Sequence, residues 1–241
     1  MSTELTPLSG KKTIFSDALK KQYNIKVTII IADLTAPDAP EKIHQDIIDQ
    51  NIQIDALINN AGYGVPGYYI NTDWQQQKDF IQVLVTAVSH LCHLFLPGMV
   101  KRGYGRIINV SSINGLLPCS PGQSLYAGAK TFVVSLSNTL QAEVGHSGAN
   151  VSALCPGLTY TEFHDVTGTR EMVRKVPKSQ WMDAQSVADQ AYDAVMRGGL
   201  VCTPSKAASI TALLPRFLPR KLTVNLMKKQ SLKIRKIDAE N

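Results

Sequence analysis

Short apolar runs alternate along the chain with stretches in which apolar residues recur every three to four positions. VTIIIAD (27–33) is apolar up to its closing aspartate and predicts a strand buried on both faces. Residues 13–23 ahead of it read as a helix, PEKIHQDIIDQ (40–50) as another, and DALIN (55–59) as a second strand. A long helix follows around 79–99, then the strand GRIINVSS (105–112) and a helix over 123–144. NVSALCPG (150–157) is a strand leaving into a loop, DAQSVADQAYDAVMRGG (183–199) a capped amphipathic helix, and LVCTP (200–204) a last short strand. Apolar strands spaced by helices specify an α/β fold, a Rossmann-like doubly wound parallel sheet. Residues 159–181 lack a clean period, contain Gly168 and Pro177, and read as a mobile loop or lid.

At 241 residues, 44% of them hydrophobic, the chain suffices for one sizeable domain. No run of 18 apolar residues occurs, and MSTELTPLSGKK lacks the apolar core of a secretion signal. The expectation is therefore a cytoplasmic protein. Cys92, Cys119, Cys155 and Cys202 are widely spaced, which predicts reduced thiols and no metal site.

The net charge of +6 is local. Residues 209–241 hold eight Lys/Arg and two Asp/Glu, leaving 17 of the 25 basic and 17 of the 19 acidic residues elsewhere. The chain thus divides into a neutral body, 1–208, and a basic tail, 209–241. In the tail Leu213, Leu214, Phe217, Leu218, Leu222, Leu226 and Met227 recur at roughly helical spacing, with Arg216, Arg220, Lys221, Lys228 and Lys229 between them. Pro215 and Pro219 interrupt the pattern. Such a segment either makes peripheral contact with an anionic membrane or forms helices that pack on the body and cap a cleft. No nucleic-acid-binding motif accompanies the charge, so no nucleic-acid partner is expected.

NNAGYGVPG (59–67) spells G-x-G-x-x-G through Gly62, Gly64 and Gly67. A phosphate cradle needs a helix directly after the third glycine, with its N-terminus aimed at the phosphates. Here Pro66 precedes that glycine, YYINTD follows it, and helical spacing resumes only near Trp74. An ordinary loop is the better reading. A more informative pair is Tyr126 and Lys130 in SLYAGAKTF, four apart and hence on one helical face. An ammonium beside a phenol favours the phenolate and lowers its pKa toward a working range for acid/base catalysis. Ser112 lies fourteen residues upstream at the end of a strand, where open α/β sheets bind ligands.

Together RIINVSS, YAGAK and VSALCPGLTYTEF resemble the short-chain dehydrogenase/reductase family, in its DltE-like branch, over residues 25–201. The resemblance implies an NAD(P)-dependent oxidoreductase moving hydride between nicotinamide and a carbonyl or secondary alcohol. Tyr126 would be the acid/base, Lys130 would lower its pKa and hold the nicotinamide ribose, and Ser112 rather than Ser111 would bind the carbonyl oxygen. Asp33 would meet the adenine, and Asn60, Ala61 and Gly62 would line its ribose. Pro156, Gly157, Thr159 and Thr161 would contact the nicotinamide and diphosphate. The resemblance favours NADP over NAD and a homo-oligomer, dimer or tetramer, built on the helices around 79–99 and 123–144; the partner is a small carbonyl or alcohol.

Two departures qualify it. The family's relay asparagine falls at Leu84, which cannot hold a water. The family also opens with a strand, a T-G-x-x-x-G-x-G turn, a helix and a second strand, where this sequence has only 26 residues and one glycine. The expectation is a sheet lacking two strands, from a truncated or misplaced start rather than a redesigned fold. The alternative to an enzyme is a pseudoenzyme with impaired cofactor binding, acting as a scaffold or binding protein.

Overall fold

A computed structural model describes residues 8–119, 121–123, 125–174, 176–205, 209–210 and 217–234. The chain divides into two compact units, residues 1–32 and 33–241. The first contains helix α1 (Leu8–Tyr23), followed by Asn24–Ala32 without regular structure. Its Ile25, Ile29 and Ile31 are exposed. The strand expected over 27–33 is therefore not formed: an apolar run becomes a strand only when a neighbour takes its N–H and C=O groups, and no ladder includes these residues.

The second unit is built on a parallel sheet of β1 (Ala56–Asn59), β2 (Gly105–Val110), β3 (Ala149–Leu154) and a two-residue strand, Val201–Cys202, in that spatial order. Parallel neighbours require crossovers, which the helices supply. Helix α2 (Ala39–Asp49) leads into β1. A continuous helix, Trp74–Arg102, joins β1 to β2. It consists of α3 (Trp74–Ile81), a wider turn over Gln82–Thr86 and α4 (Ala87–Arg102). It begins at Trp74, where helical spacing resumes, because Asp73 caps it, its Oδ2 accepting from Gln76 N at 3.1 Å. Gly103, at φ 70°, ends it in the left-handed conformation that glycine adopts without strain. By length and composition this helix could cross a bilayer, yet Phe80, Leu84, Leu91, Cys92 and Met99 are buried, as in a core helix.

Alternation along the strands separates the two faces. Ile107 and Val151 pack with Leu91, Phe95 and Met99 of α4, while Ile108 and Leu154 pack with Val187, Ala191 and Val195 of the helix Ala184–Met196. Helix α5 (Tyr126–Val144) joins β2 to β3 on the α4 side. At the sheet margin Ile58 of β1 stands 61% exposed.

Residues 159–181, read from the sequence as a mobile loop or lid, contain regular elements among those described. Strand β4 (Leu158–Tyr160) pairs in parallel with β5 (Trp181–Asp183), and the short helices α6 (Phe163–Val166) and α7 (Arg170–Val173) lie between them in sequence. The pairing partner lies more than twenty residues away, so no local period announces it. Helix Ala184–Met196 (α8) follows directly, capped by Asp183 accepting from Ser186 N at 2.8 Å. In the tail, α9 (Arg220–Ile234) buries Thr223 and leaves Leu222, Val224 and Leu226 exposed. Leu213, Leu214, Pro215 and Arg216 lie outside the described residues.

Candidate active site

The C-terminal ends of β1, β2 and β3 present Asn60–Gly62, Ser111–Ser112 and Cys155–Gly157 along one sheet edge. Ser112 sits just beyond β2, where its Oγ accepts from Asn114 N at 3.2 Å and caps the turn Ile113–Leu116. The Ser112 side chain lies near enough to the Tyr126 phenol to pull its pKa down. Tyr126 opens α5, and one turn on, Lys130 Nζ donates to Val110 O at 2.8 Å and lies 5.7 Å from the Tyr126 ring centre. Ser111 has a different use: its Oγ donates to Lys130 O at 2.7 Å and ties the end of β2 to α5. Gly115 permits that approach, because a Cβ there would stand 2.6 Å from Lys130 O. Geometry alone thus separates the two serines.

Tyr126, Ser112 and Lys130 are all buried. Burial pushes the Tyr126 phenol up to about 12, only partly opposed by the Ser112 side chain. Burial likewise brings the Lys130 amine down to about 8. This corrects the expectation that Lys130 lowers the phenol in the free protein: the ammonium is directed to Val110 O, and desolvation of the phenolate outweighs it.

Burial of Lys130 also makes stability depend on pH. With its pKa lower in the fold than in the unfolded chain, the unfolded state binds more protons between about pH 8 and the ordinary lysine value of 10.5, so stability rises with pH there. Above pH 9 the raised pKa values of Cys92, Cys155 and Tyr126 act in the opposite sense. Thermal melts between pH 8 and 9 should therefore show a midpoint that climbs in the wild type relative to Lys130→Met. Parallel midpoints in the two proteins would show that Lys130 is not desolvated.

The position expected for a relay asparagine is occupied by Leu84, buried in the widened turn of the long helix. A Cβ on Gly62 would lie 3.7 Å from Leu84 and 3.9 Å from Lys130 Nζ, so Gly62, Leu84 and Lys130 line one recess beside Tyr126. A helix widened at this point is common where a side chain is re-aimed into a site. The glycines of the 62–67 loop lead into a short 3-10 turn, Tyr69–Asn71, and not into a helix N-terminus.

The other predicted residues are held by their own turns. Asp33 Oδ1 accepts from Thr35 N at 2.9 Å and Thr35 Oγ1 at 2.8 Å. Thr159 Oγ1 donates to Gly157 O at 3.2 Å, and Thr161 Oγ1 accepts from Phe163 N at 3.3 Å. Pro156 O accepts from Ile113 N at 2.9 Å, fastening the loop after β3 to the Ser112 turn. Asn60, Ala61, Gly62, Pro156 and Gly157 thus share the sheet edge with the Ser112–Tyr126 pair, while Asp33, Thr159 and Thr161 make no recorded contact with it.

Two features went unread in the sequence. Asn59 Nδ2 donates to Asn109 Oδ1 at 2.8 Å, and Asn109 Nδ2 donates to Ser137 Oγ at 3.0 Å, a buried polar ladder joining β1, β2 and α5. An asparagine inside the apolar strand RIINV is the signal that would have revealed it. The second feature is Phe163, whose ring lies 6.3 Å from that of Tyr126.

Known proteins resemble this chain in sequence and in fold. The profile described as short chain dehydrogenase matches residues 11–171. The chain is 30% identical over 176 residues to the 3-oxoacyl-[acyl-carrier-protein] reductase FabG of Haemophilus influenzae, covering 72% of each chain. It is 27% identical over 177 residues to the oxidoreductase UcpA of Escherichia coli K12, covering 69% of this chain and 67% of UcpA. Among solved structures, a short-chain dehydrogenase from Sphingobium yanoikuyae in complex with NADPH superposes with a TM-score of 0.73 at 26% identity, covering 95% of this chain and 83% of that one. A 7beta-hydroxysteroid dehydrogenase reaches a TM-score of 0.78 at 16% identity, covering 91% of this chain and 83% of that one, a likeness of fold. The chain belongs to the short-chain dehydrogenase family and is an oxidoreductase of that family.

Proposed function

We propose that the protein is an NAD(P)-dependent carbonyl reductase or alcohol dehydrogenase of the DltE-like branch, working through Ser112, Tyr126 and Lys130. The observation that carries this reading is the burial of Ser112, at the end of β2, beside Tyr126, with Lys130 one turn further along α5. Bound NAD(P)H supplies hydride to the carbonyl carbon. Ser112 Oγ–H donates to the carbonyl oxygen and orients it. Tyr126 gives that oxygen its proton as negative charge develops there, and takes it back in the oxidative direction. With a phenol near 12, Tyr126 is protonated at neutral pH and ready for reduction.

The residues present suit the nicotinamide-ribose end of the cofactor. Lys130 has three donor hydrogens, and its Nζ would stand 3.9 Å from a Cβ on Gly62. Asn60, Ala61, Pro156, Gly157, Thr159, Thr161 and Asp33 are assigned to the rest of the dinucleotide on the family pattern. Within residues 1–32 the single glycine, Gly10, lies inside α1, so the Gly-rich turn that grips the diphosphate is not supplied there. Each such charge-assisted contact contributes roughly 1.5–3 kcal/mol, so two or three of them account for about a thousandfold or more in affinity. Calorimetry on residues 1–241 should therefore show weak NADPH binding, restored by adding a strand–turn–helix segment with T-G-x-x-x-G-x-G. Low-micromolar binding by residues 1–241 would contradict the diphosphate part of this reading.

We also propose a cytoplasmic homo-oligomer, a dimer or tetramer, that contacts anionic membrane surfaces through the tail. Helix α9 has Arg220, Lys221, Lys228 and Lys229, no acidic residue, and the exposed Leu222 and Leu226. Salt-sensitive co-sedimentation with anionic vesicles, lost on deleting residues 209–241, is the expected result. A chain that stays in the supernatant at low salt would make the tail part of the fold alone. Light scattering that finds a monomer would remove the oligomer.

A further inference from the structure

The wall around Tyr126 is aromatic and uncharged. Phe80, fully buried, and Phe163 each place a ring 6.3 Å from that of Tyr126, and Tyr63 meets Phe80 edge-on at 5.7 Å. From Phe163 the rings continue across the lid. His164 lies 5.5 Å from Phe163, Trp181 lies 5.4 Å from His164, and Tyr160 stacks on Trp181 at 4.8 Å with an interplanar angle of 21°. Thr167 of the lid would lie 3.4 Å from a Cβ on Gly64, so the lid closes onto the loop after β1. A carbonyl held at Tyr126 would have the Phe163 ring beside it.

Cations near this wall are already engaged. Lys130 Nζ donates to Val110 O. Arg170 is paired with Asp165 and donates to Thr161 O at 2.9 Å. His164 accepts or donates at Thr169 Oγ1, and burial holds its pKa below the ordinary imidazole value, so it is neutral at pH 7. On the opposite side the charged groups acting on Tyr63 are acidic, Asp79 and Asp33. Anionic substrates would meet acids there, whereas a flat apolar body finds ring faces and edges.

Resting on the oxidoreductase reading, we propose that the substrate is an uncharged ketone, or its alcohol, carrying an aromatic or alicyclic body that packs against Phe163 and the rings behind it, and that keto acids are excluded. The two tryptophans, Trp74 and Trp181, allow a direct test. Trp74 is exposed on the long helix, so Trp74→Phe leaves Trp181 as the sole reporter of the lid. In that background, acetophenone and benzoylformate share a ring and a ketone and differ by a carboxylate. Each is titrated with and without NADP+.

A saturable Trp181 response to acetophenone, at least about tenfold tighter than to benzoylformate, is expected. Phe163→Arg, with its fold checked by circular dichroism, should shift the preference toward benzoylformate. Equal or tighter binding of benzoylformate by the unaltered wall, no Trp181 response to either compound, or an unchanged preference in Phe163→Arg would each overturn the inference. Binding needs no turnover, so the two readings fail separately. A selective Trp181 response without reduction refutes the proposed activity alone, and turnover that prefers benzoylformate refutes this inference alone.

Discussion

Tyr126→Phe should abolish carbonyl reduction while leaving the protein folded. The substitution removes one hydroxyl and keeps the ring that packs between Phe80 and Phe163. Proton transfer by a positioned side chain contributes roughly 10²–10⁴-fold to rate, and a bare phenyl ring has no proton to give. The far-ultraviolet circular dichroism should be unchanged. The Ser112 hydroxyl keeps its contact with Asn114 N, so the expected loss of stability is small, about 1 kcal/mol. A Tyr126→Phe protein that retains most of its kcat/KM would assign the proton to another group.

Lys130→Ala should harm turnover and cofactor binding together, because two tasks rest on one ammonium. It lies near Gly62 and is assigned the nicotinamide ribose, and it sits 5.7 Å from the ring whose phenolate must form during oxidation. Losing a charge-assisted hydrogen bond of roughly 1.5–3 kcal/mol weakens dinucleotide affinity by about tenfold to a hundredfold. The effect on kcat should be larger in the oxidative direction, where Tyr126 must ionise. A loss confined to kcat, with NADPH affinity unchanged, would contradict the ribose contact.

The cleanly legible parts of the fold are those whose periodicity is local. DALIN, RIINV and NVSAL form β1, β2 and β3 because each apolar run finds a parallel neighbour, and DAQSVADQ forms α8 because its cap and spacing lie within one short window. The run at 27–33 has the same composition, but a strand is a property of a pair, and no partner strand for it is present among the described residues. The lid at 159–181 reads as irregular because its order comes from Leu158–Tyr160 pairing with Trp181–Asp183.

The candidate site is legible in its identities and less so in its physics. Spacing places Tyr126 and Lys130 on one face, yet it carries no measure of burial. Burial is what raises the phenol to about 12 and lowers the amine to about 8. Only the folded chain directs Lys130 Nζ to Val110 O and puts Phe163 over Tyr126. Leu84 stands out in the sequence as a departure, and its packing beside Gly62 in a widened helical turn explains how that space is filled without a polar side chain.

In the proposed reaction hydride and proton reach the two ends of one carbonyl bond at the Ser112–Tyr126 pair. The most direct measurement incubates residues 1–241 with NADPH deuterated at nicotinamide C4 and a panel of uncharged ketones, and reads the products by mass spectrometry. The expected product is a secondary alcohol with one deuterium on its carbinol carbon, formed by the wild type and absent with Tyr126→Phe. Alcohol formed without the label, equal labelled product from Tyr126→Phe, or no alcohol from any ketone at saturating NADPH would contradict this mechanism.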